Sequence, residues 1–146
     1  MVVITEDTFP EDLNNKYNEY FNKFKFELSV FQKWSIKAIV DGNHTLVTAH
    51  TGSGKTLPAE FAINHFVSMG KKVIYTSPIK ALSNQKLYDL RNKYPEISFG
   101  ILTGDIKDNP EADVLIMTTE ILRNTLFNKK IINNETNNSN NNSNNN

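Results

Sequence analysis

Apolar and polar positions alternate with two different periods along this chain, and the switch between them marks out the elements. Up to about residue 25, Leu13, Tyr17, Tyr20, Phe21 and Phe24 recur at helical intervals. Thr8 and Glu11 ahead of them have capping-box spacing, so the pattern predicts one packing helix. Ser29 and Gln32 repeat that spacing before Phe31, Trp34 and Ala38, which predicts a second helix. His44-Thr45-Leu46-Val47-Thr48 reads as a short buried strand. From Lys55, the residues Leu57, Phe61, Ala62, Phe66 and Met69 fall on one helical face that Gly70 ends.

After Gly70 the rhythm becomes strand, helix, strand. Val73-Ile74-Tyr75-Thr76 predicts a strand, and Ser77-Pro78 opens a helix with Leu87, Leu90 and Tyr94 on one face. A strand near Ile97 to Ile101, a turn at Thr103-Gly104-Asp105, a strand at Val114-Leu115-Ile116-Met117 and a helix from about Thr119 to Phe127 complete the series. Short apolar strands alternating with helices predict the α/β class, with a parallel sheet covered on both faces. Loops at the carboxyl ends of such strands make the site. The glycine loop at residues 49–56, Ser77-Pro78, Thr103-Gly104-Asp105 and Thr118-Thr119-Glu120 are therefore expected to line one edge. From Asn133 to Asn146 only asparagine, serine, threonine and one glutamate occur, a composition that cannot bury a core and predicts a disordered tail. The expected organisation is a helical segment over 1–25, an α/β part over 26–128 and the tail over 133–146.

Ala49-His50-Thr51-Gly52-Ser53-Gly54-Lys55-Thr56 carries the most specific chemistry, because it lies between a predicted strand and a predicted helix. Gly52 and Gly54 let the backbone curl so that successive N–H groups face phosphate oxygens, and the helix N-terminus adds partial positive charge. Lys55 would reach the β- and γ-phosphates, and the Thr56 hydroxyl would complete the coordination of Mg2+. This is a cradle for ATP or GTP. Ala49 stands where glycine is usual, and Pro58 falls in the first helical turn, where a missing N–H costs little. The competing reading is a glycine-rich turn without function.

Composition narrows the classes. The 146 residues suggest one domain with a modest core, and cysteine is absent, so disulfides and cysteine-based metal sites are excluded. His44, His50 and His65 lack ligand spacing. Sixteen basic and sixteen acidic residues cancel, so any nucleic-acid contact is expected to be local and not a broad basic face. No apolar run reaches membrane-spanning length and the N-terminus turns acidic early, which leads us to expect a soluble intracellular protein without a membrane partner.

Five segments in order carry a family resemblance. Phe26-Glu27-Leu28-Ser29-Val30-Phe31-Gln32 resembles an adenine-reading Q motif, and residues 49–56 resemble motif I. Thr76-Ser77-Pro78-Ile79-Lys80-Ala81-Leu82-Ser83-Asn84-Gln85-Lys86 resembles motif Ia. Leu102-Thr103-Gly104-Asp105 with Asn109-Pro110-Glu111-Ala112, and then Met117-Thr118-Thr119-Glu120-Ile121-Leu122-Arg123, resemble the next two blocks. Together they resemble the first half of the first RecA-like domain of a superfamily 2 helicase, of the Ski-like DExH-box RNA helicases. The resemblance implies a RecA-like three-layer fold, ATP and Mg2+ as cofactors, and ATP-driven movement along single-stranded nucleic acid, RNA by family.

By the same resemblance Gln32 would read the adenine edge, and Ala49 to Thr56 would hold the nucleotide. Ser77, Pro78, Ala81, Gln85, Thr103, Gly104, Thr118, Thr119 and Glu120 would grip the strand. Each has a plainer rival: a helix cap for Ser29 with Gln32 and for Ser77, and a tight turn or cap for the others. Family members continue into a strand with an Asp-Glu-x-His box, which these 146 residues lack. The chain alone is therefore expected to hydrolyse ATP negligibly, whether it is a fragment, a split subunit whose partner is the remainder of the helicase, or a decayed product. An incomplete sheet would leave an edge prone to association. Other classes are a non-catalytic nucleotide- or nucleic-acid-binding module and a small-molecule kinase.

Overall fold

Tyr17 interrupts the first helix where its apolar periodicity would have carried it on. In the computed structural model, which describes residues 7–128, that segment forms two short helices, α1 (Glu11–Lys16) and α2 (Asn18–Phe21), with Tyr17 at φ −101° between them. The Tyr17 hydroxyl donates to Asp41 Oδ1 at 2.6 Å while its ring is buried, and this tertiary bond competes with helical continuation. The expected capping box does not form: Pro10 occupies the N-cap position, and no side chain caps the helix. Proline cannot donate an N–H to a reciprocal partner, so Thr8 and Glu11 have no box to close.

The second expected helix is α3 (Val30–Val40), and here the box is present. Ser29 and Gln32 cap each other, with the Ser29 N–H donating to Gln32 Oε1 at 2.9 Å. Its buried stripe is Gln32, Ser35, Ile36 and Ile39; Phe31, Trp34 and Ala38 are only half-buried. The next helix is α4 (Thr56–Ser68), which buries Pro58, Phe61 and Ile63. Met69 is 55% exposed at its C-cap, and Gly70 follows at φ 71°, a left-handed value that ends the helix cheaply for a residue without Cβ. Tyr17, Phe21, Leu28, Ile36, Ile39 and Phe61 form one apolar cluster, each large side chain worth roughly 1.5–3 kcal/mol of burial. These elements belong to a first compact unit, Met1–Met69.

No strand forms at His44 to Thr48. Residues 43–50 are irregular and Leu46 is 90% exposed. A strand needs a ladder partner for its backbone groups, and the described part of the first unit is otherwise helices and turns.

The second unit, Gly70–Asn146, holds the sheet. It comprises β1 (Val73–Ser77), α5 (Lys80–Lys93), β2 (Phe99–Leu102), β3 (Lys107–Asp108) and β4 (Val114–Thr118), and residues 119–128 are helical. The order is β1-β4-β2-β3, with β1, β4 and β2 parallel and β3 antiparallel at the edge. Val73 registers with Val114 and Ser77 with Thr118, so the carboxyl ends of β1 and β4 are level. Phe99, Ile101, Val114 and Ile116 are buried on one face, and α5 covers it with Leu90 and Ser83. On the other face of β1 Ile74 is 54% exposed. The asparagine tail expected over 133–146 lies outside the described residues.

Candidate functional site

The first unit contributes a glycine loop leading into α4. Gly52 and Gly54 adopt φ of 84° and 82°, and Lys55 and Thr56 open the helix. The His50 carbonyl oxygen sits at the centre of the loop's own bonds: it accepts from Lys55 Nζ at 2.5 Å, Ser53 Oγ at 2.8 Å and the Ser53 N–H at 3.3 Å. Lys55 is thus folded back along the loop, with its cationic donors facing an oxygen. Thr51, Gly52, Gly54 and Thr56 are exposed, and Ala49 is half-buried.

Gln32 joins this loop. It is buried, with only 6% exposed, and donates from Nε2 to the Gly54 carbonyl at 3.2 Å while its Oε1 caps α3. Gly54 O also accepts the Leu57 N–H. One side chain therefore couples the start of α3 to the turn that opens α4. The sequence offered both a capping and a ligand-reading role for Gln32, and the structure shows the first together with a contact to the loop that neither anticipated.

The second unit brings the other loops to one end of its sheet. Ser77, Thr103 and Thr118 close β1, β2 and β4 and are buried, while Pro78, Ala81, Gln85, Gly104, Thr119 and Glu120 are exposed beside them. Ser77 does not cap α5, whose N-cap is Ile79. Its hydroxyl bonds instead to the Ile79 carbonyl at 3.1 Å and to Ser83 Oγ at 2.6 Å. Thr119 Oγ1 donates to the Ser77 carbonyl at 3.3 Å, tying the end of β4 to the end of β1. Thr103 closes its turn on itself: its N–H donates to the Ile106 carbonyl at 2.8 Å and its Oγ1 accepts the Ile106 N–H at 3.1 Å.

Three residues within these segments make contacts to which the sequence assigned no individual role. Ser83 lies with Leu90 on the buried stripe of α5, with Leu87 half-buried beside them, and a small polar residue in an apolar stripe signals a buried hydroxyl partner. Lys80 and Asp105 form an ion pair between the first turn of α5 and the turn after β2; both side chains are largely exposed. Opposite charges in two loops at the same end of a parallel sheet were the available signal. Among the described residues no group of three or more His, Asp or Glu side chains could hold a metal ion, and no helix is long and apolar enough to cross a membrane.

Comparison with known proteins places this geometry. The profile of the family described as DEAD/DEAH box helicase matches residues 29–142. The chain is 44% identical over 123 residues to the antiviral helicase SKI2 of Saccharomyces cerevisiae, covering 80% of this chain and 10% of that protein. It is 43% identical over 122 residues to the DExH-box ATP-dependent RNA helicase DExH9 of Arabidopsis thaliana, covering 80% and 12%. With the probable helicase HelY of Mycobacterium tuberculosis it shares 47% over 102 residues, covering 70% and 11%. The chain thus spans about a tenth of the length of the curated relatives it matches. Among solved structures, a hypothetical ATP-dependent RNA helicase from Sulfolobus tokodaii superposes with a TM-score of 0.55 at 23% identity, over 81% of this chain and 37% of that one, and shows the RecA-like fold. The chain belongs to the DEAD/DEAH box helicase family and, within it, is similar to the Ski2 and DExH-box RNA helicases.

Proposed function

We propose that the chain forms the nucleotide-binding part of an ATP-dependent RNA helicase. The observation that carries this reading is the glycine loop: two left-handed glycines, a lysine bonded to an oxygen, and a thirteen-residue helix that begins at the next threonine. Such a loop fits an anionic polyphosphate because its lysine and serine donors already converge on one oxygen. In this reading Lys55 leaves the His50 carbonyl for the β- and γ-phosphates, and Ser53 and the backbone from Ala49 to Gly54 surround them. The Thr56 hydroxyl would be the residue of this chain that holds Mg2+. Bound ATP would supply the free energy for movement along the strand.

In this reading Gln32, whose amide bonds link the start of α3 to the Gly54 carbonyl, would also select adenine by exchanging one of those bonds for the base edge. Ser77, Pro78, Ala81, Gln85, Thr103, Gly104, Thr118, Thr119 and Glu120 form the strand-binding side. RNA is the substrate class carried by the names of relatives such as DExH9. These 146 residues contain no Asp-Glu-x-His box, and this favours nucleotide binding without turnover for the chain on its own, the rest of a helicase being the partner that supplies hydrolysis.

The test is a titration with a fluorescent ATP analogue in the presence of Mg2+, paired with phosphate release. Wild-type protein should bind and Lys55→Ala should lose most of that binding, with negligible phosphate release from either. Equal binding by both proteins would remove the proposed role of the loop, and strong RNA-stimulated release would remove the division between binding and turnover.

A further inference from the structure

We propose that the open edge of β1 is a self-association surface, on which a second copy of this chain adds its own β1 antiparallel, about a two-fold axis at Tyr75. Among the described residues β1 has a ladder on one side only, with β4. The Val73 N–H donates to the Asp113 carbonyl at 2.8 Å, and alternate residues of a strand face the same neighbour, so Tyr75 and Ser77 also turn their backbone groups to β4. Ile74 and Thr76 therefore each turn an N–H and a C=O to the open side, where a strand edge is a template for another chain. The two edges of the sheet contrast in this respect. At one, β3 is two residues long, both of them charged, and is followed by Asn109 at φ 44°. At the other, β1 is five residues long and holds neither a charge nor a proline, and its Ile74 is 54% exposed. Short, charged strands guard an edge against pairing, so β3 is guarded and β1 is not.

A second copy fits because the strand is self-complementary in one antiparallel register. Ile74 opposite Thr76 of the second copy, and Thr76 opposite its Ile74, match every outward N–H of β1 with an outward carbonyl across the axis. Moving the axis to Thr76 brings Pro78, which has no N–H to give, opposite Ile74. Moving it to Ile74 pairs Thr76 beyond Val73, where the strand begins. Charge selects the same direction. Lys71 and Lys72 both precede β1, so an antiparallel partner sets the two lysine pairs at opposite ends, whereas a parallel one sets them side by side. The β-branched Ile74 and Thr76 then meet across one face, and Tyr75 meets its copy on the face of α5, since Ser77, two residues on, bonds to Ser83 of that helix. One strand pair buries far less than the roughly 1,200 Å² of a standard interface, so the dimer is weak and forms as concentration rises. The inference concerns the second unit and does not depend on nucleotide or RNA binding.

The chain has no cysteine, so single introduced cysteines report the register directly. Opposed residues without mutual hydrogen bonds lie about 4.5 Å apart at Cα, within disulfide reach, whereas residues two positions out of register lie about 7–8 Å apart. Tyr75→Cys, Ile74→Cys and Thr76→Cys of the 146-residue chain are each oxidised mildly and read by non-reducing electrophoresis. Sedimentation velocity follows the wild type at rising concentration, and thermal unfolding checks that each variant folds. Tyr75→Cys should form a covalent dimer at least about tenfold faster than either other variant alone. A mixture of Ile74→Cys and Thr76→Cys should cross-link as a heterodimer, which keeps the test intact if loss of the Tyr75 ring unfolds the protein. Thr76→Pro removes an outward N–H without touching the bonds to β4 and should weaken the wild-type dimer by at least about tenfold; Ile74→Lys, a charge on the open edge, should weaken it too. A wild type that stays monomeric at every concentration, with no preferred cross-link, would overturn the proposal. Equal cross-linking by all three variants alone would mean random collision, and association unchanged by Thr76→Pro and Ile74→Lys would mean another surface; either result also overturns it.

Discussion

Gln32 Nε2 donates to the carbonyl oxygen of Gly54, 22 positions further along the chain, and so joins the cap of α3 to the loop that opens α4. Gly54 is shaped by that neighbour as much as by its backbone angle. A Cβ added there would lie 2.6 Å from Gln32 Nε2, whereas one added at Gly52 would meet nothing within 4 Å, although both residues have φ above 80°. Gly52→Ala should therefore incur only the left-handed cost of about 1–2 kcal/mol. Gly54→Ala adds displacement of Gln32 and should weaken ATP binding by at least about tenfold more than Gly52→Ala. Parallel titrations with a fluorescent ATP analogue decide this, and equal losses would mean that the Gln32 contact is incidental.

Gln32→Glu separates the two bonds of that side chain. A glutamate keeps an acceptor for the Ser29 N–H and preserves the capping box, but it has no donor for the Gly54 carbonyl when ionised. A carboxylate facing the Gly54 carbonyl in this buried position should lower thermal stability by about 1–3 kcal/mol, and ATP binding falls further through the loosened loop and the lost amide. GTP binding should fall less if Gln32 also reads adenine. A large drop in melting temperature with unchanged nucleotide affinity would assign Gln32 to the helix cap alone.

A buried tyrosine makes the first unit sensitive to acid. Asp41 accepts from both Lys37 Nζ and the Tyr17 hydroxyl at 2.6 Å. Its pKa is lowered from the ordinary 3.8, first by the Lys37 hydrogen bond and then by that of Tyr17. Lys37 is raised from 10.5, chiefly by its hydrogen bond to Asp41. The Asp41 contribution is therefore complete above pH 3.8 and disappears as pH falls through the native value below it. The Lys37 contribution is complete below pH 10.5 and fades as pH rises through the native value above it. Asp41→Asn should destabilise by on the order of 1 kcal/mol near neutrality, with a difference that shrinks in strong acid. Urea unfolding at several pH values measures it, and a pH-independent difference would point to lost packing instead.

What the sequence disclosed follows from which forces are local. The strand at Val114 was legible almost to the residue, because a parallel strand buried on both sides shows as an apolar run, and β4 ends one residue beyond the expected Met117. The two-residue β3, made of exposed Lys107 and Asp108, has no such signature and exists only because β2 is there to pair with it. His44 to Thr48 failed for the opposite reason: its residues suit a strand, but among the described residues of the first unit no partner strand stands beside them. Tyr17 broke its helix for a hydroxyl bond to a residue 24 positions away, which no local pattern can announce. The candidate site divides in the same way. The glycine loop was readable because its backbone angles demand glycine, whereas the links from Gln32 to Gly54 and from Lys80 to Asp105 arise only on folding.

Gly100 offers a last test of how tightly the edge of the sheet is built. It lies in β2, and a Cβ there would come within 2.0 Å of the Asn109 carbonyl oxygen and 2.9 Å of the Asp108 carbonyl oxygen. Both are backbone atoms, so no side chain can rotate away to make room. Asn109 itself sits at φ 44°, a left-handed value that asparagine tolerates better than most residues, and this bend brings its carbonyl over the strand. Gly100→Ala must therefore push the segment after β3 off β2, at a cost of about 1–3 kcal/mol. Because Arg91 donates to both the Phe99 carbonyl and Asp108, the shift should also loosen that clip between α5 and the hairpin. Hydrogen exchange should show faster exchange of the Ile101 and Asp108 amides, the hydrogen-bonded pair of the β2–β3 ladder, in the variant while β1 and β4 keep their protection. Loss of protection across the whole sheet would mean instead that the hairpin and the parallel strands unfold as one unit.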